Sequence, residues 1–152
     1  MPSASTMKDP YLKPVILGGL FITLLSIVFV PGIFLWAAIG GYITVRLARK
    51  ITKESPTLFD VLLLGAFPGV IGGALLDVIT AFSFKSFENQ RSIISVLEHN
   101  WPKEIPYPNF NEILPSVFLM SYLFIILTSV FFSTIGAYIS IFIIKKTNQI
   151  KD

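Results

Sequence analysis

The placement of charge constrains this chain more than any other feature. Charged residues are confined to clusters, and between the clusters run three long uncharged stretches, residues 14–45, 61–76 and 113–144. A bilayer takes about 20 consecutive apolar residues to cross as a helix, and it demands that backbone donors and acceptors be bonded within the segment. Composition agrees with this: 53% of the 152 residues are hydrophobic and 14% are charged, against roughly 25% charged in a soluble domain. One small globular core cannot absorb that much apolar side chain. The expected fold is therefore a single all-α membrane domain over residues 1–152, with the lipid bilayer as its principal partner.

The number of spans turns on the first stretch. Its 32 residues are too many for one span of about 17–25 residues and few for two. Pro31-Gly32 lies in the middle, and a proline followed by a glycine removes a helical donor and admits a turn. The pair predicts a helical hairpin with helices at about 14–30 and 33–48; the competing arrangement is one long kinked helix. Basic residues favour the hairpin. With four spans, Lys8, Lys13, Arg46, Arg49, Lys50, Lys53, Lys145, Lys146 and Lys151 share one side, and Lys85, Arg91 and Lys103 the other, nine against three. Three spans give seven against five. Because basic residues accumulate on the cytoplasmic side, a four-transmembrane-helix bundle with both termini cytoplasmic is expected.

The third helix is predicted over 57–84. Thr57 is placed to cap it, Asp60 sits in the first turn, where an acid is favoured, and Pro68-Gly69 falls inside. An outer segment follows at 85–115. Its first half sets Phe87, Ile94, Leu97 and Trp101 at helical spacing, as in an amphipathic interfacial helix. The proline-rich WPKEIPYPNF reads as extended and anchored by aromatics. The fourth helix is predicted over 116–144, ending at Lys145-Lys146. A cleaved signal peptide fits poorly, since the apolar run after Lys8 and Lys13 meets no small-residue cleavage site before Ala37-Ala38.

Gly65, Gly69 and Gly73 form a ladder at four-residue spacing, with Gly72 beside it. In lipid, close approach of backbones over small residues is a main source of helix attraction. Ala37 and Gly41 on the second helix, and Ser129, Ser133 and Ala137 on the fourth, offer matching surfaces. These grooves are expected to hold one bundle together; the rival use is oligomerisation, including around a pore. Asp77 continues the ladder by one turn. A carboxylate within a bilayer costs about a few kcal/mol on insertion scales, so Asp77 is either bonded to a Ser or Thr near the outer interface or serves an ion or proton. Arg46, Arg49, Lys50 and Lys53 complement a helix C-terminus and suit lipid phosphates, though their first role is to set topology. Tyr42, Trp36, Tyr107, Tyr122 and Tyr138 suit packing or interfacial belts.

The chemistry classes thin out quickly. The chain has no cysteine, which removes disulfides, thiolate nucleophiles and Cys-based metal sites. His99 is the sole histidine, and the spacing of Glu98, Glu104 and Glu112 around it is not that of a metal site. The glycines lack the Lys-Ser/Thr of a phosphate loop. The net charge of +3 is accounted for by basic residues beside apolar segments, so nucleic acid is not expected as a partner. Neither an enzyme nor a cofactor is expected. The functional expectation is a structural, accessory or assembly protein of the membrane; the alternative is a small transporter or channel using Asp77 and the glycine face.

The hairpin VPGIFLWAAIGGYITVRLARK and the following DVLLLGAFPGVIGGALLDVI resemble small uncharacterised prokaryotic four-helix membrane proteins. The resemblance covers residues 15–84 and implies a four-span arrangement in a prokaryotic plasma (inner) membrane. It departs in the long outer segment and the phenylalanine-rich fourth helix, and it implies no activity.

Overall fold

A computed structural model describes residues 10–53, 56–84, 87–102, 104, 106 and 109–149. Among these residues the chain is all-helical, with five α-helices and one short 3-10 turn: α1 Leu12–Val28, the turn Val30–Gly32, α2 Ile33–Thr52, α3 Leu58–Phe84, α4 Phe87–Asn100 and α5 Phe110–Gln149. Two stretches, Leu58–Ser83 and Pro115–Ile144, are long and apolar enough to cross a membrane, while α1 is apolar but shorter.

The first uncharged run does not form one kinked helix. The Phe29 N–H closes α1 on the Leu25 carbonyl, and the Gly32 N–H bonds back to the Phe29 carbonyl at 3.0 Å. The Trp36 indole N–H reaches that same carbonyl at 3.3 Å, so one side chain of α2 ties off the turn that precedes it. The two helices then run antiparallel: Thr44 Oγ1 donates to the Pro14 carbonyl at 3.4 Å, and Gly18 lies against Gly40 and Thr44.

Several boundaries differ from the sequence expectation, each for a physical reason. α2 continues to Thr52 rather than ending near Ala48. Arg49 and Lys50 occupy its last turn, where cations suit the helix dipole, and the chain leaves the helix only at Lys53, which adopts a left-handed φ of 58°. α5 begins at Phe110 rather than 116 and ends at Gln149 rather than 144. Asn109 and Glu112 close its start, through an Asn109 Nδ2 to Glu112 Oε1 bond of 2.7 Å and a Glu112 N–H to Asn109 carbonyl bond of 3.0 Å. Pro115 is thus carried inside the helix, and the predicted extended stretch loses its last residue, Phe110, to it. At the far end neither glycine nor proline follows Lys145-Lys146, so the helix runs on. α3 starts as predicted, with Thr57 and Asp60 bonded reciprocally: Thr57 N–H to Asp60 Oδ2 at 2.9 Å and Asp60 N–H to Thr57 Oγ1 at 3.2 Å, a capping box built with Asp. α4 falls where the amphipathic pattern places it, with Ile94 and Trp101 half-buried. The Phe87 and Leu97 side chains, and Lys8, Lys85, Lys103, Tyr107 and Lys151, lie outside the described residues, as does the Lys145 side chain.

A core of Val15, Val45, Ala48, Val61, Leu64, Ala137 and Ile141 joins the start of α1, the end of α2, the start of α3 and the end of α5. The four helices therefore alternate in direction. α2 and α3 sit between α1 and α5, each in contact with both, and α4 packs against α3. Lys13, Arg46, Arg49, Lys50, Lys53 and Lys146 all gather at the end marked by this core.

Candidate functional site

The third helix presents two separate small-residue faces. Toward α5, a Cβ on Gly65 would lie 2.6 Å from Thr134 Cα, one on Gly69 2.6 Å from Val130 Cα, and one on Gly73 3.0 Å from Ile126 Cα. Each step of four on α3 is matched by a step of four backwards on α5, the register of an antiparallel pair whose backbones touch over glycine. Ser129 and Ser133 line the same seam: Ser129 lies beside Gly69 and Gly73, and the Ser133 carbonyl beside Gly65. Toward α1, Gly72 meets Ile22 and the Gly19 carbonyl, and its own carbonyl accepts from Thr23 Oγ1 at 3.2 Å. Gly72 thus belongs to a different interface from the ladder it adjoins in sequence.

α2 reaches α5 through Gly41, whose added Cβ would collide with the Ser133 carbonyl, and through Gly136, whose Cβ would collide with the Ala38 backbone. Ala37 and Ala137 are fully buried. The structure brings Gly41, Gly65, Ser133 and Ala137 to one three-helix junction. Sequence reasoning missed Gly136, Gly18, Gly19 and Gly40 as contact positions. The Gly18-Gly19 and Gly40-Gly41 steps carried a signal, since their halves meet across the hairpin; Gly136 carried none, because nothing in the sequence says which helix it faces.

Asp77 lies one turn beyond Gly73. It is 8% exposed, and neither carboxylate oxygen has a hydrogen-bond partner among the described residues. The register of the α3–α5 seam, continued by one turn, sets it level with Tyr122. The expected Ser or Thr partner is absent among the described residues: Thr80 Oγ1 donates to the Leu76 carbonyl at 2.8 Å and Ser83 Oγ to the Ile79 carbonyl at 3.1 Å. A contrast runs through the hydroxyls. Thr44, Thr80, Ser121 and Thr134 bond back to the carbonyl four residues earlier, the usual refuge of a helical hydroxyl. The fully buried Ser26, Ser129, Ser133 and Ser140 do not, and their Oγ atoms have no partner among the described residues. Three of the four lie on one stripe of α5.

The basic cluster is peripheral. The Arg46 guanidinium lies over the Tyr42 ring, 5.0 Å from its centroid, a cation–π arrangement. Arg49 is half-buried, and Lys50 and Lys53 are exposed. His99 and Glu98 are exposed on α4, and no group of three or more candidate metal ligands occurs among the described residues. Tyr122 stacks on Phe118 with centroids 6.4 Å apart, and Tyr138 is on the surface.

Comparison of the chain with protein-family models, with curated proteins and with solved structures finds no match.

Proposed function

We propose that the chain is an integral membrane protein that crosses the bilayer four times, through α1, α2, α3 and α5, with both termini on the cytoplasmic side of a prokaryotic plasma membrane. Its role is non-enzymatic: a small bundle that acts by packing, as a structural, accessory or assembly component. The carrying observation is the outer surface. Large apolar side chains stand exposed on all four helices, among them Val28 at 82%, Leu35 at 57%, Phe82 at 71% and Met120 at 75%. A soluble monomer does not present that much contiguous apolar surface. α1, at 17 residues and about 1.5 Å each, is about 26 Å long, close to the roughly 30 Å hydrocarbon core. The basic residues at one end of the bundle suit the cytoplasmic headgroups. Alkaline carbonate extraction tests the reading: the protein stays in the membrane pellet, and release into the supernatant refutes it.

One observation favours a second reading, a small transporter or channel. Asp77 is buried on the glycine face with both oxygens unpartnered, and intramembrane acids are functional candidates by default. Under this reading, liposomes holding the protein pass ions or protons, and Asp77→Asn lowers the flux. Flux unchanged by Asp77→Asn refutes it.

A further inference from the structure

We infer that the groove between the starts of α1 and α3 holds the acyl chain of a cytoplasmic-leaflet phospholipid bearing an amine headgroup, an inference that rests on the membrane reading above. The groove has a volume of about 300 Å³ and is lined by Tyr11, Leu12, Val15, Asp60, Leu63, Leu64, Phe67 and Ile71. Ligand pockets begin at about this size.

Its polarity is graded along the bundle. Tyr11 and Asp60 stand at the basic end, where α1 and α3 begin, and from there the α3 wall runs through Leu63, Leu64 and Phe67 to Ile71. From Asp60 to Ile71 is about 16 Å at 1.5 Å per residue, about half of the hydrocarbon thickness. A lipid of that leaflet has the same order: headgroup at the surface, chain toward the midplane. The gap faces outward on the α1–α3 side, away from α5, where Leu12 and Phe67 are more than half exposed, so a chain enters sideways from the bilayer.

Charge at the mouth selects the headgroup. Asp60 is half-buried, and its Oδ2 takes two bonds from Thr57, at 2.9 and 2.7 Å, which fix the carboxylate at the rim. A fixed carboxylate attracts an ammonium and repels a headgroup with net negative charge. Phosphatidylethanolamine carries that ammonium; phosphatidylglycerol carries a net negative charge and no ammonium.

Native mass spectrometry of the full chain, released from nanodiscs of equal phosphatidylethanolamine and phosphatidylglycerol, tests the inference. Wild type retains one lipid, with phosphatidylethanolamine preferred about tenfold, which corresponds to about 1.4 kcal/mol. Asp60→Asn keeps the capping acceptor and abolishes the preference. Leu63→Trp fills the groove and lowers retention about tenfold, while Leu62→Trp, on the exposed neighbouring face, retains lipid as wild type does. Helix content by circular dichroism confirms that each variant is folded. Equal retention of the two lipids by wild type, or equal retention by the two Trp variants, overturns the proposal. Either result leaves membrane insertion intact, because carbonate extraction reads that separately.

Discussion

The α3–α5 seam makes a sharp prediction about two glycines of one ladder. A methyl group on Gly69 would meet Val130 Cα at 2.6 Å, the Ser129 carbonyl oxygen at 2.8 Å and the Val130 nitrogen at 2.8 Å. Carbon atoms rest about 3.5–4.0 Å apart, so the seam must open by about 1 Å, and all three neighbours are backbone atoms that cannot rotate aside. Opening there also loosens Gly65 against Thr134. Overpacking of this kind costs about 1–3 kcal/mol. Alanine's better helix propensity returns about 1 kcal/mol of that; with all three contacts to backbone atoms the cost falls at the upper end of the overpacking range, leaving Gly69→Ala destabilising by up to about 2 kcal/mol. At Gly73 the nearest atoms are Ile126 Cα at 3.0 Å, Ile126 Cγ1 at 3.3 Å and Ser129 Cβ at 3.4 Å. The strain there is a few tenths of an ångström and the propensity gain offsets it, so Gly73→Ala lies within about 0.5 kcal/mol of wild type. Equilibrium unfolding in mixed micelles measures both. Equal values for the two variants would refute the claim that backbone contact over Gly69 sets the spacing of these helices.

Three further outcomes follow from the same geometry. Thr57→Ala removes the hydroxyl that accepts from the Asp60 N–H and destabilises α3 by about 1 kcal/mol, read as a lower unfolding midpoint; no change means the cap is idle. Asp77→Leu replaces a buried carboxyl whose oxygens have no partners among the described residues with an apolar side chain, and it raises stability by about 1–3 kcal/mol; a loss of stability in the same micelles shows that Asp77 is bonded after all. Neutralising Arg46, Arg49, Lys50 and Lys53 together cuts the basic split from nine against three to five against three, and reporter fusions at the C-terminus then give a mixed orientation where wild type gives one.

Much of the helical order was legible because the bilayer-length apolar runs and the turn at Pro31-Gly32 are local signals. The Thr57 cap was legible for the same reason, since its partner lies three residues away. The misplaced ends have a common cause: a residue type with two readings. Arg49, Lys50, Lys145 and Lys146 read in the sequence as the edge of an apolar span, yet cations also stabilise a helix C-terminus, so α2 and α5 run past them. Pro115 resembles a helix start, but the Asn109–Glu112 pair ahead of it starts the helix first. The candidate site was legible only in part. A ladder at four-residue spacing identifies one face of α3, but that Gly72 turns to α1, and that Gly136 meets Ala38, depends on which helices become neighbours. The unpartnered oxygens of Asp77 are likewise a tertiary fact; the sequence offers Thr80 and Ser83 nearby, and both bond to their own helix.

The central claim is that four helices cross the membrane with both termini on one side. Single cysteines at positions 5, 92 and 148, in a chain that has none of its own, test it most directly with a membrane-impermeant thiol reagent. In intact cells Ser92→Cys on α4 labels from outside, while Ser5→Cys and Asn148→Cys label only after the membrane is opened. Labelling of positions 92 and 148 from the same side, or of position 5 from the side opposite to 148, contradicts the four-span account.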